Sequence, residues 1–224
     1  MCFSAEASFI GAGVVGVAGV GALALVRKPR EIPFAALPLL FAFHQAMEGI
    51  TWRNLDGRGA AILTGWGVHA WVFYAWAFLP AYVPWAVWLI EPDAKRRRLM
   101  TIPLAVGVGL ALFMLTQAFQ SGISVSVVAE NLDYKLPFDE SWILAFPYVL
   151  ATCITPAMST QRWVRVFGIG NFVAMSAAGI IQWKDYSSIW CTFAAFLSII
   201  IFVHYLSLRR PFARHDEPVA VPSG

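Results

Sequence analysis

The chain has 224 residues, of which 59% are hydrophobic and 13% are charged, and its mean hydropathy is +0.66. A soluble domain is much less apolar, so this composition predicts an integral membrane protein surrounded by a lipid bilayer. The formal charge of +3 comes from short basic clusters between apolar runs, and the absence of a basic and aromatic stripe excludes nucleic acid as an expected partner.

Long apolar runs predict the membrane spans, because about 20 helical residues cross the hydrocarbon core. We predict an all-α, polytopic bundle of seven transmembrane helices in one domain, residues 1–210, and a disordered cytoplasmic tail, residues 211–224. The predicted helices cover residues 8–26, 33–52, 60–90, 99–119, 141–158, 163–182 and 187–208. No basic residue precedes the first run, so we expect a retained helix rather than a cleaved signal peptide.

Proline and turn-forming residues indicate a kink in the third helix and a structured connection before the fifth helix. Pro80 and Pro84 are expected to kink the third helix or to end its regular part. The connection at residues 120–140 is the only long one, and residues 124–128 within it alternate between polar and apolar side chains. Because turn formers follow at residues 131–137, this connection predicts a short strand or a hairpin.

The distribution of Lys and Arg predicts the orientation of the bundle, because short cytoplasmic loops are rich in these residues. Every second connection is basic, and the alternate connections are poorer in positive charge or contain neighbouring acids. The amino terminus is therefore expected outside and the carboxyl terminus in the cytoplasm of a bacterial inner membrane. The basic residues of the predicted cytoplasmic side are Arg27, Lys28, Arg30, Lys95, Arg96, Arg97, Arg98, Arg162, Arg165, Arg209, Arg210 and Arg214.

Three ionisable residues form the main candidate site. His44 and Glu48 are four residues apart, which places them on one face of the second helix. The predicted topology puts His69 of the third helix at a depth similar to that of His44. Ionisable groups at membrane depth usually face a protein interior or a watery cavity and mark function.

Two histidines and a carboxylate can bind a divalent metal such as zinc and leave a position for water. His44, Glu48 and His69 are the predicted metal ligands, and Glu48 is also the predicted catalytic base. In the structural alternative, Glu48 is a hydrogen-bonded strut among Trp and Gln side chains. A haem held by the two histidines is a weaker alternative. Because the seventh helix contains no Lys, a retinal Schiff base is not expected.

Cys2 is a second catalytic candidate, since removal of the initiator Met would leave an amine and a thiol on one residue. It is expected on the same side of the membrane as Cys191, and an oxidising compartment would permit a disulfide between them. His204, which precedes Tyr205 near the basic end of the seventh helix, is expected to be a solvated interfacial residue. Polar residues predicted to line an outward-opening pocket are Gln45, Gln117, Gln182, Asp185 and Cys191.

Four parts of the sequence resemble a known family. They are the start Met1-Cys2-Phe3-Ser4-Ala5, the pattern of Gln45, Glu48, Gly49 and Trp52, the Glu91-Pro92 pair and the Trp190-Cys191 pair. The chain resembles a family of small, uncharacterised bacterial membrane proteins that begin with Met-Cys-Phe-Ser-Ala. The resemblance covers most of residues 1–208 and implies a multi-span membrane protein, with no activity attached. Glutamine is usual in that pattern where His44 stands here, which favours Glu48, Cys2 and the Trp190-Cys191 pair.

These observations predict a membrane protein with an outward-opening pocket around Glu48 that binds a metal ion or a small ligand, and its partner is a small molecule or a lipid-soluble ligand. A metal-dependent membrane hydrolase is the corresponding enzyme, in which the metal would activate water. A transporter or channel for a small polar solute or a proton, with Glu48 and Asn171 on its path, is the alternative from another class. A haem-binding, scaffold or sensor subunit of a membrane complex is the third hypothesis, and the oligomeric state is left open.

Overall fold

The computed structural model describes residues 4–55, 61–120, 124–128, 131–135, 142–181 and 186–209. Within these ranges the chain is helical apart from one two-stranded antiparallel hairpin. The helices are α1 (Ala5–Ala24), α2 (Ile32–Leu55), α3 (Ala61–Val72), α4 (Leu79–Ile90), α5 (Ala94–Leu99), α6 (Thr101–Gln120), α7 (Trp142–Val149), α8 (Thr155–Ala157), α9 (Arg162–Ile181), α10 (Tyr186–Leu197) and α11 (Ile199–Arg209). The predicted tail at residues 211–224 lies outside the described residues.

Five helical stretches in the described residues have the length and the apolar composition needed to cross a membrane. They are Ala5–Ala24, Trp66–Ile90, Ala94–Ala118, Arg162–Ile180 and Ile189–Arg209. The 24-residue helix α2 has the required length but contains His44, Glu48 and Arg53, which make it more polar. The apolar helix Leu144–Ala157 is shorter than the five.

Helix α2 is the central helix of the bundle. It contacts α1, α3, α4, α10 and α11, and half of its 24 residues are buried. A helix enclosed by other helices exposes little surface to lipid, so polar side chains on it can be compensated by protein neighbours. The position of α2 thus explains how the most polar of the long helices fits inside an apolar bundle.

Two π-helical segments interrupt the regular helices, and each lies directly before a proline. Phe73–Phe78 joins α3 to α4, and the amide of Leu79 donates to the Tyr74 carbonyl five residues earlier, next to Pro80. Leu150–Ile154 joins α7 to α8, and the amide of Thr155 bonds in the same way to the Leu150 carbonyl, next to Pro156. A proline ring clashes with the carbonyl four residues earlier in a regular helix, and a wider turn relieves that clash.

The regular α-helical part of the predicted third helix is interrupted before Pro80 by the π-helical segment. The helical stretch continues through Pro80 and Pro84 as far as Ile90, because the wider turn of the π-helical segment makes room for the ring of Pro80. The expected hairpin in the long connection is present, with β1 (Ser124–Val128) paired to β2 (Asn131–Lys135).

The basic connections meet at one end of the bundle, which we call the basic end and define by residues Arg27–Glu31, Glu91–Leu99, Met158–Arg165 and Tyr205–Arg209. Side-chain hydrogen bonds link these segments to one another and to Leu25 at the end of α1. Arg96 donates to the Met158 carbonyl at 2.7 Å, the Tyr205 hydroxyl donates to the Glu31 carbonyl at 2.9 Å, and Arg209 donates to the Leu25 carbonyl at 3.3 Å. Alternate loops of the bundle thus lie together, as an up-and-down arrangement of helices requires.

Candidate functional site

His44 and Glu48 lie inside the helical bundle, one turn apart on α2, and both are 0% exposed. The buried face of α2 also carries Gln45 and Thr51 and is otherwise apolar. Its buried members include Phe34, Leu37, Phe41 and Trp52. An imidazole and a carboxyl group at this position lose their contact with water, so their stability depends on polar neighbours or on a bound species.

Aromatic rings rather than polar groups surround His44. Its ring stacks on Tyr74, with 4.6 Å between the ring centroids, and lies 5.0 Å from the ring of Trp71. In the described part of the chain, neither nitrogen of His44 has a hydrogen-bond partner, and the buried Tyr74 hydroxyl also has none. Leaving such a group buried and unsatisfied costs about 1–3 kcal/mol. Three polar atoms of His44 and Tyr74 thus lack a hydrogen-bond partner among the described residues.

Residues of α10 complete the polar surroundings of α2. Gln45 donates from its side-chain amide to the Thr192 hydroxyl at 3.4 Å, and Gln45 is buried. The preceding residue, Cys191, is also buried and lines a cavity together with Ala75, the neighbour of Tyr74. The structure therefore brings Gln45 and Cys191, two predicted pocket residues, to the region of His44.

Two small cavities lie beside this region. One, of about 20 Å³, is lined by residues that include Ala75, Trp76, Tyr148, Trp190 and Cys191. The other, of about 10 Å³, is lined by residues that include Phe41, Thr152, Phe167, Asn171 and Cys191. One water needs about 10–15 Å³ of such space, so the first cavity accommodates one or two waters and the second at most one. Both cavities include residues of the π-helical segments.

His69 does not join His44 and Glu48 in a three-ligand cluster. The described residues contain no group of three His, Cys, Asp or Glu side chains that could hold a metal ion. The side chain of His69 is exposed, whereas Val68 and Trp71 of the same helix are buried. Successive residues of a helix are about 100° apart, so a face that presents Val68 and Trp71 to the core turns His69 away. Trp71 occupies the place next to His44.

Of the remaining predicted site residues, Gln117 is the one that the structure describes. Gln117 is half-buried near the end of α6 and lines neither of the two cavities. Cys2, Gln182 and Asp185 lie outside the described residues, and so does the proposed pairing of Cys2 with Cys191.

The structure also reveals a buried carboxylate that the sequence analysis did not select. Glu91 follows α4, is 1% exposed and accepts four hydrogen bonds. The donors are the Ser159 hydroxyl (2.7 Å), the Thr160 amide (3.0 Å), the Thr160 hydroxyl (2.6 Å) and the Asp93 amide (3.1 Å). We call Glu91 and these donors the Glu91 clamp. It ties the connection after α4 to the connection before α9.

A sequence signal for the clamp was available. The basic connections were predicted on one side, which placed Glu91 and the Ser159-Thr160 pair at the same end of neighbouring helices. A single carboxylate after an apolar run, opposite two hydroxyl residues, is typical of a hydrogen-bonded contact between loops.

Comparisons with known proteins give a family and no close relative of known activity. No curated protein and no solved structure matches the chain. One family model matches residues 1–217, which is nearly the whole sequence. The chain therefore belongs to the family described as a family of unknown function (DUF6629).

Proposed function

We propose that this chain is a seven-span protein of the bacterial inner membrane whose buried His44–Glu48 pair forms a binding site for a small polar ligand. The supporting observation is the state of His44, which is 0% exposed and has no hydrogen-bond partner at either nitrogen among the described residues. Buried polar groups in proteins are nearly always satisfied, so an imidazole kept in this condition indicates a missing partner.

A hydrogen-bonding ligand fits the site better than a metal ion. His44 offers one donor and one acceptor, and the Tyr74 hydroxyl offers a donor on the adjacent ring. Metal binding at a catalytic zinc site uses three protein ligands, whereas His44 and Glu48 supply two. The hydrolase hypothesis would need a third ligand from outside the described residues, where Cys2 and Asp185 lie.

The test is a direct analysis of what the purified protein carries. Protein purified without chelator is denatured, and the released fraction is analysed by elemental analysis, absorption spectroscopy and mass spectrometry. We expect close to one equivalent of a small polar molecule per chain. Glu48→Gln should lower the occupancy at least tenfold, whereas the control Ser176→Ala, an exposed change on α9, should leave it unchanged.

Each result has a defined meaning. Stoichiometric zinc that is lost in Glu48→Gln would replace the small-ligand proposal with the metal proposal, and a Soret band would favour haem. Folded wild-type protein that carries no bound species in any of the three analyses would contradict the binding function.

The arrangement of cavities supports transport as the second candidate function. A further cavity lies at the basic end and is lined in part by His204, whose ring contacts Phe34 with 6.0 Å between centroids. Phe34 also contacts Phe167, which lines the small cavity beside Asn171, with 6.2 Å between centroids. Phe34 thus contacts a lining residue of each cavity, and in a transporter such an aromatic contact would act as a closed hydrophobic gate.

Liposome flux measurements separate the two candidates. A transporter should show proton or solute flux that falls in Glu48→Gln and rises in Phe34→Ala, because the smaller side chain opens the aromatic barrier. Flux that is the same in wild type and in both variants would remove transport as a function.

A further inference from the structure

The cavity at the basic end is a second site, separate from the His44–Glu48 pair. Its volume is about 180 Å³, many times the roughly 10–15 Å³ of such space that one water needs. It lies where α2 begins and where α4 and α11 end. Residues that line it include Arg30, Glu31, Gln161, His204, Tyr205 and Leu208.

His204 is a fixed and buried member of the lining. The side chain is 4% exposed, which differs from the solvated position expected from the sequence. Its ring packs edge-on against Phe34, and the neighbouring Tyr205 hydroxyl donates to the Glu31 carbonyl at 2.9 Å. These contacts hold the imidazole at the cavity wall, where it can donate or accept a hydrogen bond.

Two adjacent residues in the lining of this cavity carry opposite charges. Arg30 supplies a guanidinium group, and Glu31 supplies a carboxylate from the next position. The backbone amides of Arg27 and Lys28 donate to Oε2 of Glu31 at 3.0 and 3.3 Å. Because both bonds use Oε2, the other carboxylate oxygen keeps its capacity to accept from a ligand.

The polar wall opposite is held rigid by the Glu91 clamp. Gln161 lines the cavity, and its side-chain amide donates to the Ile90 carbonyl at 2.8 Å. The adjacent residue Thr160 is bonded to Glu91 through both its amide and its hydroxyl. A site whose walls are fixed before binding loses less entropy when a ligand enters.

We propose that this cavity binds a zwitterionic phosphate ester of the phosphoethanolamine type. Arg30 binds the phosphate oxygens, because guanidinium and phosphate form short, charge-assisted hydrogen bonds, and His204 donates a further hydrogen bond. The Glu31 carboxylate binds the ammonium group. Leu208 and Ile90 supply apolar surface for a glycerol or acyl portion. The group can belong to a lipid headgroup or to a soluble ester.

Calorimetric titration of the full chain in detergent micelles tests the site with two defined probes. The probes are dihexanoyl phosphatidylethanolamine and free phosphoethanolamine, and the comparison ligand is dihexanoyl phosphatidylcholine. We expect saturable binding of at least one probe and affinity for the choline lipid at least tenfold weaker, because a trimethylammonium group cannot donate hydrogen bonds to Glu31.

Variants connect the binding to this cavity. Arg30→Gln and Glu31→Gln should each weaken binding about tenfold or more, whereas Lys28→Gln, an exposed change in the same turn, should alter it less than twofold. Binding of the lipid alone assigns the headgroup as the source, and binding of both probes assigns the soluble ester. Folded protein that binds neither probe, equal affinity for the choline lipid, or equal losses in Arg30→Gln and Lys28→Gln would each overturn the proposal.

Discussion

At the scale of single residues, Glu91 shows how a charge is kept at the edge of an apolar bundle. The four donors that surround its carboxylate replace the water that burial removes. Hydrogen bonds to a charged group contribute about 1.5–3 kcal/mol each, more than bonds between neutral groups. The clamp therefore stabilises the contact between two loops that have little apolar surface to bury.

Glu91→Ala should destabilise the protein by about 2–4 kcal/mol, because the buried Ser159 hydroxyl loses its acceptor. Asp93→Ala is the matched control, since Asp93 caps α5 from a more exposed position and its loss costs about 1 kcal/mol. Thermal unfolding in detergent, followed by circular dichroism, measures both changes. Equal destabilisation by the two variants would show that the clamp has no special role.

At the scale of helices, close approach depends on glycines where the π-helical segments meet their neighbours. A Cβ atom on Gly107 of α6 would clash with the Pro80 carbonyl oxygen and would lie 3.0 Å from the Ala151 Cβ. The Tyr148 hydroxyl donates to the Ala75 carbonyl at 2.5 Å and so links α7 to the first π-helical segment. Backbone contact at Gly107 and this hydrogen bond hold the two interrupted helices together.

Gly107→Ala should destabilise the bundle by about 1–3 kcal/mol, because the backbone of Pro80 cannot move away from the added methyl group without strain. Gly109→Ala is the control two residues along the same helix. No atom lies within 4 Å of its added Cβ, so that change should be neutral or slightly stabilising. Denaturant unfolding compares the two, and a smaller loss for Gly107→Ala than for Gly109→Ala would contradict the packing described.

Hydropathy and proline content predicted the helical regions because each long apolar run has few other structures available in lipid. The rotation of α3 was not predictable in the same way. Its sequence is apolar on all faces apart from His69, so the pattern does not show which side contacts α2. The structure shows that Val68 and Trp71 face the core, and this rotation removes His69 from the site.

At the scale of the whole molecule, charge and cavities divide the bundle into two ends. The basic end carries the cavity of about 180 Å³ and the Glu91 clamp, whereas His44 and Glu48 lie further along α2. The alternation of Lys and Arg between connections anticipated the gathering of the basic loops. The burial of His204 was not anticipated, since it depends on Phe34 and Tyr205 packing around the ring.

The proposed orientation can be tested by adding one cysteine at either end of α2 in a Cys2→Ser background, in which the two remaining cysteines, Cys153 and Cys191, are buried. If α2 crosses the membrane and the basic end is cytoplasmic, Leu55→Cys should react with an impermeant maleimide in intact cells. Lys28→Cys should react only after permeabilisation, and both original side chains are exposed. Labelling of both positions from the same side would show that α2 does not span.

The central claim is that the buried polar atoms of His44 are kept for a ligand at the expense of stability. His44→Phe keeps a ring against Tyr74 and Trp71 and removes the unsatisfied nitrogens, so the variant should be more stable than ligand-free wild type by about 1–3 kcal/mol.

The measurement is the unfolding temperature of wild type and His44→Phe, each recorded before and after extensive dialysis against chelator and fresh detergent. We expect dialysis to lower the unfolding temperature of wild type alone and to leave it below that of His44→Phe. An unfolding temperature of wild type that dialysis does not change, together with a less stable His44→Phe, would contradict the account.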